Sequence, residues 1–202
     1  MGERAGGGEL TVRPDPGDLL ALRYTISAFR LQSRPHYDVA PDPGFHRWRR
    51  GAGPDRDALT GWLRTLQVDL DAGVRATRLK ILSAELTEYE QYACERLFSY
   101  AVGAGEQVLV VDLAAVPLPA GVELFDFWLL DDERAVRLHY DGGGRLRSAG
   151  PFSARHCRSL RDTLLPCAEP FERWWLRNTG MRVDQVDEAP RGLRPLKWRA
   201  AA

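Results

Sequence analysis

The stretch LFDFWLLDDERAVRLHYDGGGRLRSA, residues 124–149, decides the fold class. Its runs 124–130 and 135–140 are short and rich in aromatic and branched apolar residues, as β-strands are. The acidic link between them predicts a hairpin. Asp141 with three glycines then supplies the positive φ values of a tight turn into a further strand at 145–149. These residues predict an antiparallel β-meander.

Helical patterns lie on both sides of this meander in the chain. Residues 57–72 carry a stripe of large apolar side chains at helical spacing, which predicts an amphipathic helix. Thr87 with Glu90 three residues later forms the capping-box pattern of another helix, and a strand is predicted between the two at 74–81. Two more helices are predicted after the meander, over residues 153–168 and 170–178.

The segment before residue 57 gives a weaker pattern. Apolar residues at helical spacing follow Asp18, which predicts a first helix that ends near Ala28. Residues 29–39 alternate less clearly and contain Pro35, so extended chain and turn are predicted there. The whole pattern predicts an α+β fold, in which an antiparallel β-meander sheet has helices packed on one face within a single domain.

The ends of the chain differ in composition from its middle. Residues 1–17 are rich in glycine and poor in large apolar groups, so a flexible N-terminal segment is predicted. Residues 18–178 form the predicted single α+β domain, a size that one hydrophobic core can organise. Residues 179–202 lose periodicity and are predicted to be an Arg/Pro-rich C-terminal tail.

The charge balance and the cysteines limit the function classes. The chain has 28 basic and 28 acidic residues, so its net charge gives no attraction to nucleic acid or to an anionic membrane. Its apolar runs are far shorter than the ~20 residues that span a bilayer, and its N-terminus lacks the pattern of a secretory signal. Three cysteines without a C-x-x-C pair are typical of free thiols. We therefore expect a cytoplasmic protein without a membrane segment.

Polar and aromatic side chains concentrate within the meander. Asp126 and Trp128 fall on one strand face, and His139 and Asp141 share a face further on. A histidine beside a carboxylate can act as a general base. The other interpretation is a surface strand end followed by a turn aspartate. No nucleophile stands at a known motif spacing, no cofactor motif is present, and the histidines lack metal-ligand spacing. The sequence therefore predicts no cofactor and no metal site.

Two clusters interleave arginine with tryptophan. Residues 47–50 read Arg-Trp-Arg-Arg, and residues 173–177 place two tryptophans between arginines. Such clusters can contact phosphates and stack on bases, but no nucleic-acid-binding motif accompanies them here. We therefore favour tryptophans as core or interface anchors with arginine stems packed over them. Direct nucleic-acid binding ranks below binding to another protein.

Several short motifs occur in a fixed order along the chain. They are 28–32 (AFRLQ), 86–89 (LTEY) with Tyr92, 105–106 (GE), 126–129 (DFWL), and 139–141 (HYD) with Gly144 and Arg145. As an ordered series over roughly residues 28–175, they resemble an actinobacterial family of domains of unknown function, DUF6879. The chain departs from the family pattern at Gln91 and Ala93, where an arginine and a glutamate usually flank the tyrosine.

The resemblance implies a regulatory role. Members of this family are often encoded beside helix-turn-helix regulators of the WhiJ type, which implies a transcriptional regulator as partner, or a ligand-sensing role. We therefore expect a non-enzymatic regulatory or protein-interaction module. The alternative is a small-molecule enzyme of unknown reaction, with a Tyr/His/Asp-lined pocket and His139 as general base. The positions expected around a pocket or interaction site are Tyr89, Tyr92, Glu95, Asp126, Trp128, His139, Tyr140 and Asp141.

Overall fold

A mixed β-sheet is the framework of the computed structural model, which describes residues 24–38, 43–52, 56–179, 182–185 and 197–199. Within these residues the sheet has seven strands, which are β1 (Ser27–Gln32), β2 (Arg75–Leu82), β3 (Gln107–Asp112), β4 (Asp126–Leu130), β5 (Arg134–Tyr140), β6 (Leu146–Phe152) and β7 (Glu169–Pro170). Their order across the sheet is β6-β5-β4-β1-β2-β3-β7.

The predicted meander is one half of this sheet. Strands β4, β5 and β6 pair antiparallel in chain order. Strands β1, β2 and β3, however, pair parallel to one another, and β1 joins the two halves by pairing antiparallel with β4. The α+β class is therefore confirmed, but the prediction of a purely antiparallel sheet was wrong. Parallel pairs need long crossover connections, which here contain helices.

The described residues contain six α-helices, which are α1 (Pro43–Arg49), α2 (Arg56–Asp71), α3 (Glu88–Tyr92), α4 (Ser99–Ala104), α5 (Ala154–Leu164) and α6 (Phe171–Thr179). A π-helical segment, Ala93–Phe98, joins α3 to α4, and a 3-10 helix, Leu165–Cys167, follows α5. In the described ranges, no helix combines the length and the apolar character needed to cross a membrane.

The helices cover both faces of the sheet, and the prediction of one covered face was wrong. Successive residues of a strand point to opposite faces. In β2, Leu79 and Ile81 belong to a core cluster with Leu160 and Leu164 of α5. Leu82 belongs to the other core cluster, which α2, α3, α4 and α6 form with the sheet. The crossover helices thus lie on one face and α5 on the other, an arrangement that a meander alone does not imply.

Strand β1 lies where the sequence predicted the end of a helix and then irregular chain. Phe29 and Leu31 are buried in the α5 core, whereas Arg30 and Gln32 point to the opposite face. This alternation spans only a few residues and follows apolar residues at helical spacing, so the strand was missed. The part of the predicted helix before residue 24 lies outside the described residues.

Local signals mark the ends of several helices. Helix α2 is followed by Gly73 at φ 84°, and α4 ends at Gly105 with φ 105°, the left-handed conformation that glycine favours. At the start of α3, the Thr87 hydroxyl accepts the Glu90 N–H at 3.1 Å, and the Glu90 carboxylate accepts the Thr87 N–H at 3.1 Å. This is the predicted capping box.

The loop 33–38, which leaves β1, packs closely against the turn 141–144. The Asp38 N–H donates to the Gly144 carbonyl at 2.9 Å. Gly144 has φ 84°, and a Cβ at this position would lie 2.7 Å from the His36 carbonyl oxygen. A glycine is therefore required here, because any side chain would push the loop away from the sheet.

The predicted terminal segments lie mostly outside the residues that the structure describes. All of residues 1–17 and most of 179–202 are outside the described residues. Within the described part of the C-terminal segment, the short strands β8 (Arg182–Gln185) and β9 (Lys197–Arg199) pair antiparallel with each other. The domain limits at 17, 18 and 178 stay predictions.

Candidate ligand-binding site

One face of the sheet carries polar side chains where a core is expected. Arg30 and Gln32 of β1, and Arg78 and Lys80 of β2, point toward the crossover helices. The strand register places Arg30 opposite Arg78 and Gln32 opposite Lys80, so the four side chains form one patch. Burying a charge is costly unless it is paired. The partners of each charged side chain therefore show whether it has a structural role or is available to a ligand.

The Lys80 ammonium is sealed inside the protein. Its side chain is 1% exposed, that of Glu90 is 0% exposed, and Nζ lies 2.9 Å from the Glu90 carboxylate. Nζ also donates to the carbonyl oxygens of Arg34 and Ile81, at 2.7 and 2.6 Å. Burial lowers the pKa of Lys80, and the Glu90 charge opposes that shift. With its three donors used, Lys80 is a structural anchor rather than a nucleophile.

The Arg78 guanidinium is also paired. Nε and one terminal nitrogen donate to the two carboxylate oxygens of Glu106, at 3.0 and 3.2 Å. The other terminal nitrogen donates to the side-chain oxygen of Gln32 at 3.1 Å. The guanidinium carbon lies 5.7 Å from the centroid of the Trp62 ring on α2. A bidentate pair of this kind fixes the guanidinium plane and compensates its charge.

Arg30 differs from both, because no ion pair joins it to a carboxylate among the described residues. Its guanidinium carbon lies 5.1 Å from the centroid of the Trp128 ring. Burial raises the pKa of Tyr140, and the charge of Arg30 and its hydrogen bond to this phenol oppose that rise. The Arg30 Nε is buried and has no acceptor. A buried donor without an acceptor costs about 1 to 3 kcal/mol, so the described protein groups leave Arg30 incompletely hydrogen bonded.

A cleft of about 230 Å³ lies between α2 and this face of the sheet. The side chains that give it its character are Tyr24, Arg30, Trp62, Asp69, Arg78 and Trp128. The Tyr24 hydroxyl donates a hydrogen bond to the Asp69 carboxylate. Burial and this carboxylate raise the pKa of Tyr24, which therefore stays neutral. The cleft thus combines two indole rings with two guanidinium groups. The guanidinium of Arg30 has no ion pair among the described residues.

A cluster of aromatic side chains adjoins the cleft beyond Arg30. The Tyr140 ring centroid lies 5.2 Å from that of Tyr37, which lies 5.9 Å from that of Tyr89. The Tyr89 and Tyr92 centroids are 5.9 Å apart. The members of this aromatic cluster are His36, Tyr37, Phe45, Trp48, Tyr89, Tyr92 and Tyr140. The structure therefore brings together three of the residues that the sequence analysis singled out.

Two of the singled-out carboxylates hold this aromatic cluster in place. Asp126 is 2% exposed and accepts hydrogen bonds from the Ser33 N–H, the Ser33 hydroxyl and the Tyr37 hydroxyl, at 2.9, 2.6 and 2.6 Å. Glu95, in the π-helical segment, accepts a hydrogen bond from the Trp48 indole nitrogen at 2.6 Å. Protein donors therefore occupy both carboxylates.

The cleft and the aromatic cluster lie in a part of the chain that matches a family model. The model describes a domain of unknown function, DUF6879, and it matches residues 17–176. The chain belongs to the DUF6879 family. No curated protein matches the chain. Every residue of the two sites falls within the matched range, so both are features of the DUF6879 domain itself.

His139 and Asp141 do not form a pair in this DUF6879 domain. No hydrogen bond joins them among the described residues, and His139 is exposed. Asp141 instead accepts the N–H groups of Gly143 and Arg145, at 3.0 and 2.9 Å, and pairs with Arg147 at 2.7 Å. The Arg145 N–H and the Arg147 charge lower the pKa of Asp141. The interpretation of Asp141 as a turn residue is therefore the correct one.

The thiols of the DUF6879 domain are free, as the sequence predicted. Cys94 and Cys157 are each 0% exposed. Burial raises the pKa of both, and that of Cys157 to about 11. A protonated, buried thiol is a poor nucleophile. Within the described ranges, no three metal-ligating side chains are grouped so that they would hold an ion.

The two Arg/Trp clusters have different environments. Trp174 and Trp175 of α6 are 3% and 4% exposed, and the Trp174 indole donates to Asp112 at 2.8 Å, so this pair belongs to the core. Helix α1 instead keeps Arg47 and Arg49 exposed while Trp48 joins the aromatic cluster. The cluster at 173–177 is therefore structural, and the cluster at 47–50 presents positive charge to solvent.

Of the six residues that give the cleft its character, only Trp128 was singled out from the sequence, and Tyr24, Arg30, Trp62, Asp69 and Arg78 were missed. Trp62 was assigned only to the apolar stripe of its helix. A signal was nevertheless present for the arginines, because Arg30 alternates with Phe29 and Leu31. An arginine on a strand whose other face is strongly apolar indicates a buried charge that needs a partner.

Proposed function

We propose that this DUF6879 domain is a non-enzymatic regulatory module that senses a small molecule in the cleft. The observation that carries the proposal is the state of Arg30, which faces the cleft beside Trp128 with a buried Nε that has no acceptor. Ligand sites are concave, mostly apolar and equipped with a few polar groups that fix the ligand. The cleft has these properties.

The proposal of a non-enzymatic role rests on how the reactive groups are used. Lys80 is fully hydrogen bonded, Asp126 is occupied by Ser33 and Tyr37, and Cys94 is buried with a raised pKa. General acid–base and nucleophilic catalysis both need a group that can reach substrate in the required protonation state. His139 lies instead at a separate pocket of about 190 Å³ with Asp126 and Tyr140, where the Asp126 carboxylate accepts hydrogen bonds from Ser33 and Tyr37 rather than from His139.

The output of such a sensor is a protein contact in our proposal, with a helix-turn-helix transcriptional regulator in an actinobacterial cytoplasm. Helix α1 supports a contact because it turns Arg47, Arg49 and neighbouring Arg50 to solvent. The same helix packs through Trp48 on Tyr92, whose cluster reaches Arg30 through Tyr140. A ligand at Arg30 and a partner at α1 would therefore act on one connected group of side chains.

Ligand binding is tested by screening small molecules for a rise in the melting temperature of the domain. A ligand at 100 times its Kd stabilises by about 2.7 kcal/mol, which raises Tm by roughly 5 °C or more for a chain of this size. The Trp62→Leu variant is expected to lose the shift, because it removes one ring of the cleft. The matched Trp48→Leu variant, altered outside the cleft, is expected to keep it.

Two outcomes would contradict the proposal. Compounds that stabilise the wild type and the Trp62→Leu variant equally would bind outside the cleft. Conversion of a bound compound to product on incubation, detected by mass spectrometry, would indicate an enzyme instead of a sensor.

A further inference from the structure

The charge state of the cleft narrows the chemistry of its ligand. The positive charge of Arg78 is compensated by the two oxygens of Glu106. The carboxylate of Asp126 acts on Arg30 electrostatically, but it is 2% exposed and already accepts three hydrogen bonds. One guanidinium therefore stands at the cleft without an ion-pair partner of its own. Such a group favours an anion.

The Asp69 carboxylate, which also lines the cleft, limits that anion to a single charge. Asp69 accepts a hydrogen bond from the Tyr24 hydroxyl but has no ion pair among the described residues, whereas the charge of Glu106 is compensated by Arg78. A second negative group on the ligand would share the cleft with Asp69 and be repelled by it. A monoanion whose charge is directed at Arg30 avoids this repulsion.

The indole rings select the shape of the rest of the ligand. Trp62 on α2 and Trp128 on β4 are both half-buried, so part of each ring is open to the cleft. Aromatic groups associate with such faces by stacking or by edge-to-face contact. The cleft volume of about 230 Å³ lies below the ~300–1,000 Å³ of sites for drug-sized molecules. It suits one ring or two fused rings.

We propose that the ligand of the cleft is a planar aromatic carboxylate, with its carboxylate on the Arg30 guanidinium and its ring against Trp62 and Trp128. This inference rests on the proposed sensing function and adds the ligand class to it. Arg30 is the specificity-determining residue, since it supplies the one positive charge among the described cleft residues that no carboxylate pairs. Trp62 and Trp128 supply affinity that does not depend on the ligand's charge.

The experiment compares matched ligands that differ only in charge. Benzoate and indole-3-carboxylate are the anionic probes, benzamide and indole-3-carboxamide their neutral counterparts, and benzamidine the cationic one. Kd is measured by titration calorimetry at fixed, low ionic strength with the wild type, Arg30→Gln and Arg47→Gln. Arg47 is exposed on α1 and outside the cleft, so its variant controls for loss of one positive charge.

We expect each carboxylate to bind the wild type about 10-fold or more tightly than its amide, the size of a charge-assisted hydrogen bond. This preference is expected to disappear in Arg30→Gln and to persist in Arg47→Gln. If Arg30→Gln does not fold, the comparison of carboxylate with amide on the wild type still decides the matter. Equal binding of the two would overturn the ligand class.

The other outcomes separate this inference from the sensing function. Benzamidine or an amide that binds best, and that depends on Trp62, overturns the carboxylate and leaves the sensor in place. If none of the five probes binds but the broader screen yields a ligand that needs Trp62, the ligand class alone fails. If that screen also yields no cleft ligand, both proposals fail together.

Discussion

Lys80 and Arg30 lie on the same face of adjacent strands, two register positions apart, and differ in what surrounds them. Lys80 is enclosed and bonds to Glu90 and to two carbonyl groups. Arg30 borders a cleft, rests on an indole ring and leaves one donor without an acceptor. The two positions show that a charged residue on a core face can either hold the fold together, as Lys80 does, or border a cleft, as Arg30 does.

The difference lies in whether the protein completes the environment of the charge. Around Lys80 the surrounding chain supplies every acceptor, so the charge ties β2 to α3 and to the loop 33–38. Around Arg30 the chain supplies an indole ring, the Tyr140 phenol and the more distant charge of Asp126, but no ion pair among the described residues. Removing the partner of Lys80 should therefore lower the free energy of unfolding strongly. Removing the charge of Arg30 should change it little.

The largest effect is expected from Glu90→Gln. The glutamine keeps the side-chain acceptor that the capping box with Thr87 uses, but it leaves the Lys80 ammonium buried without a counter-charge. Breaking a buried pair in this way costs about 3 to 5 kcal/mol. The free energy of unfolding, measured in urea, is expected to fall by that amount.

The double variant Lys80→Met/Glu90→Gln checks the cause. It removes the unpaired charge, so most of the lost stability should return. If the double variant is no more stable than Glu90→Gln alone, the cost comes from packing at this position and the comparison with Arg30 loses its basis.

The next effect concerns the loop that covers Lys80. In Gly144→Ala, the new Cβ would lie 2.7 Å from the His36 carbonyl oxygen at a φ of 84°. The left-handed conformation alone costs an alanine about 1 to 2 kcal/mol, and displacement of the loop adds to it. Gly142→Ala is the control, because its Cβ meets nothing within 4 Å. Equal melting temperatures for the two variants would show that the loop is not held by this contact.

The smallest effect on stability is expected at the cleft. Arg30→Gln removes a charge that has no ion pair, so the free energy of unfolding should change by less than about 1 kcal/mol. Arg78→Gln would leave the buried Glu106 carboxylate without its guanidinium and should cost several times more. Equal losses in the two variants would mean that Arg30 is as structural as Arg78.

The features that could be predicted from the sequence depend on residues close together in the chain. The capping box needs only Thr87 and Glu90, and the turn at 141–144 is indicated by an aspartate and three glycines, of which Gly144 alone has a positive φ. The meander follows from such turns, since each joins strands that are neighbours both in sequence and in space. Tyr89, Tyr92 and Tyr140 were singled out through a family resemblance, and the structure brings them into one cluster.

The cleft depends on pairings between distant parts of the chain, and these leave no local signal. Ala28 of β1 lies opposite Ala76 of β2 and Leu130 of β4. Without knowledge of this strand pairing, nothing in the sequence indicates that Arg30 and Trp62 line the same cleft. The pairing of His139 with Asp141 was proposed from strand alternation alone, which a turn residue does not follow.

The position of β1 between β2 and β4 also affects how the chain reaches its native state. During synthesis β1 leaves the ribosome first, but its antiparallel neighbour β4 follows only after β3 and the loop beyond it. Closing such a long loop is entropically costly, and folds rich in distant contacts form slowly. The first three strands would meanwhile present an unpaired edge, where nascent chains can associate. Pairing of β4 with β1 covers this edge.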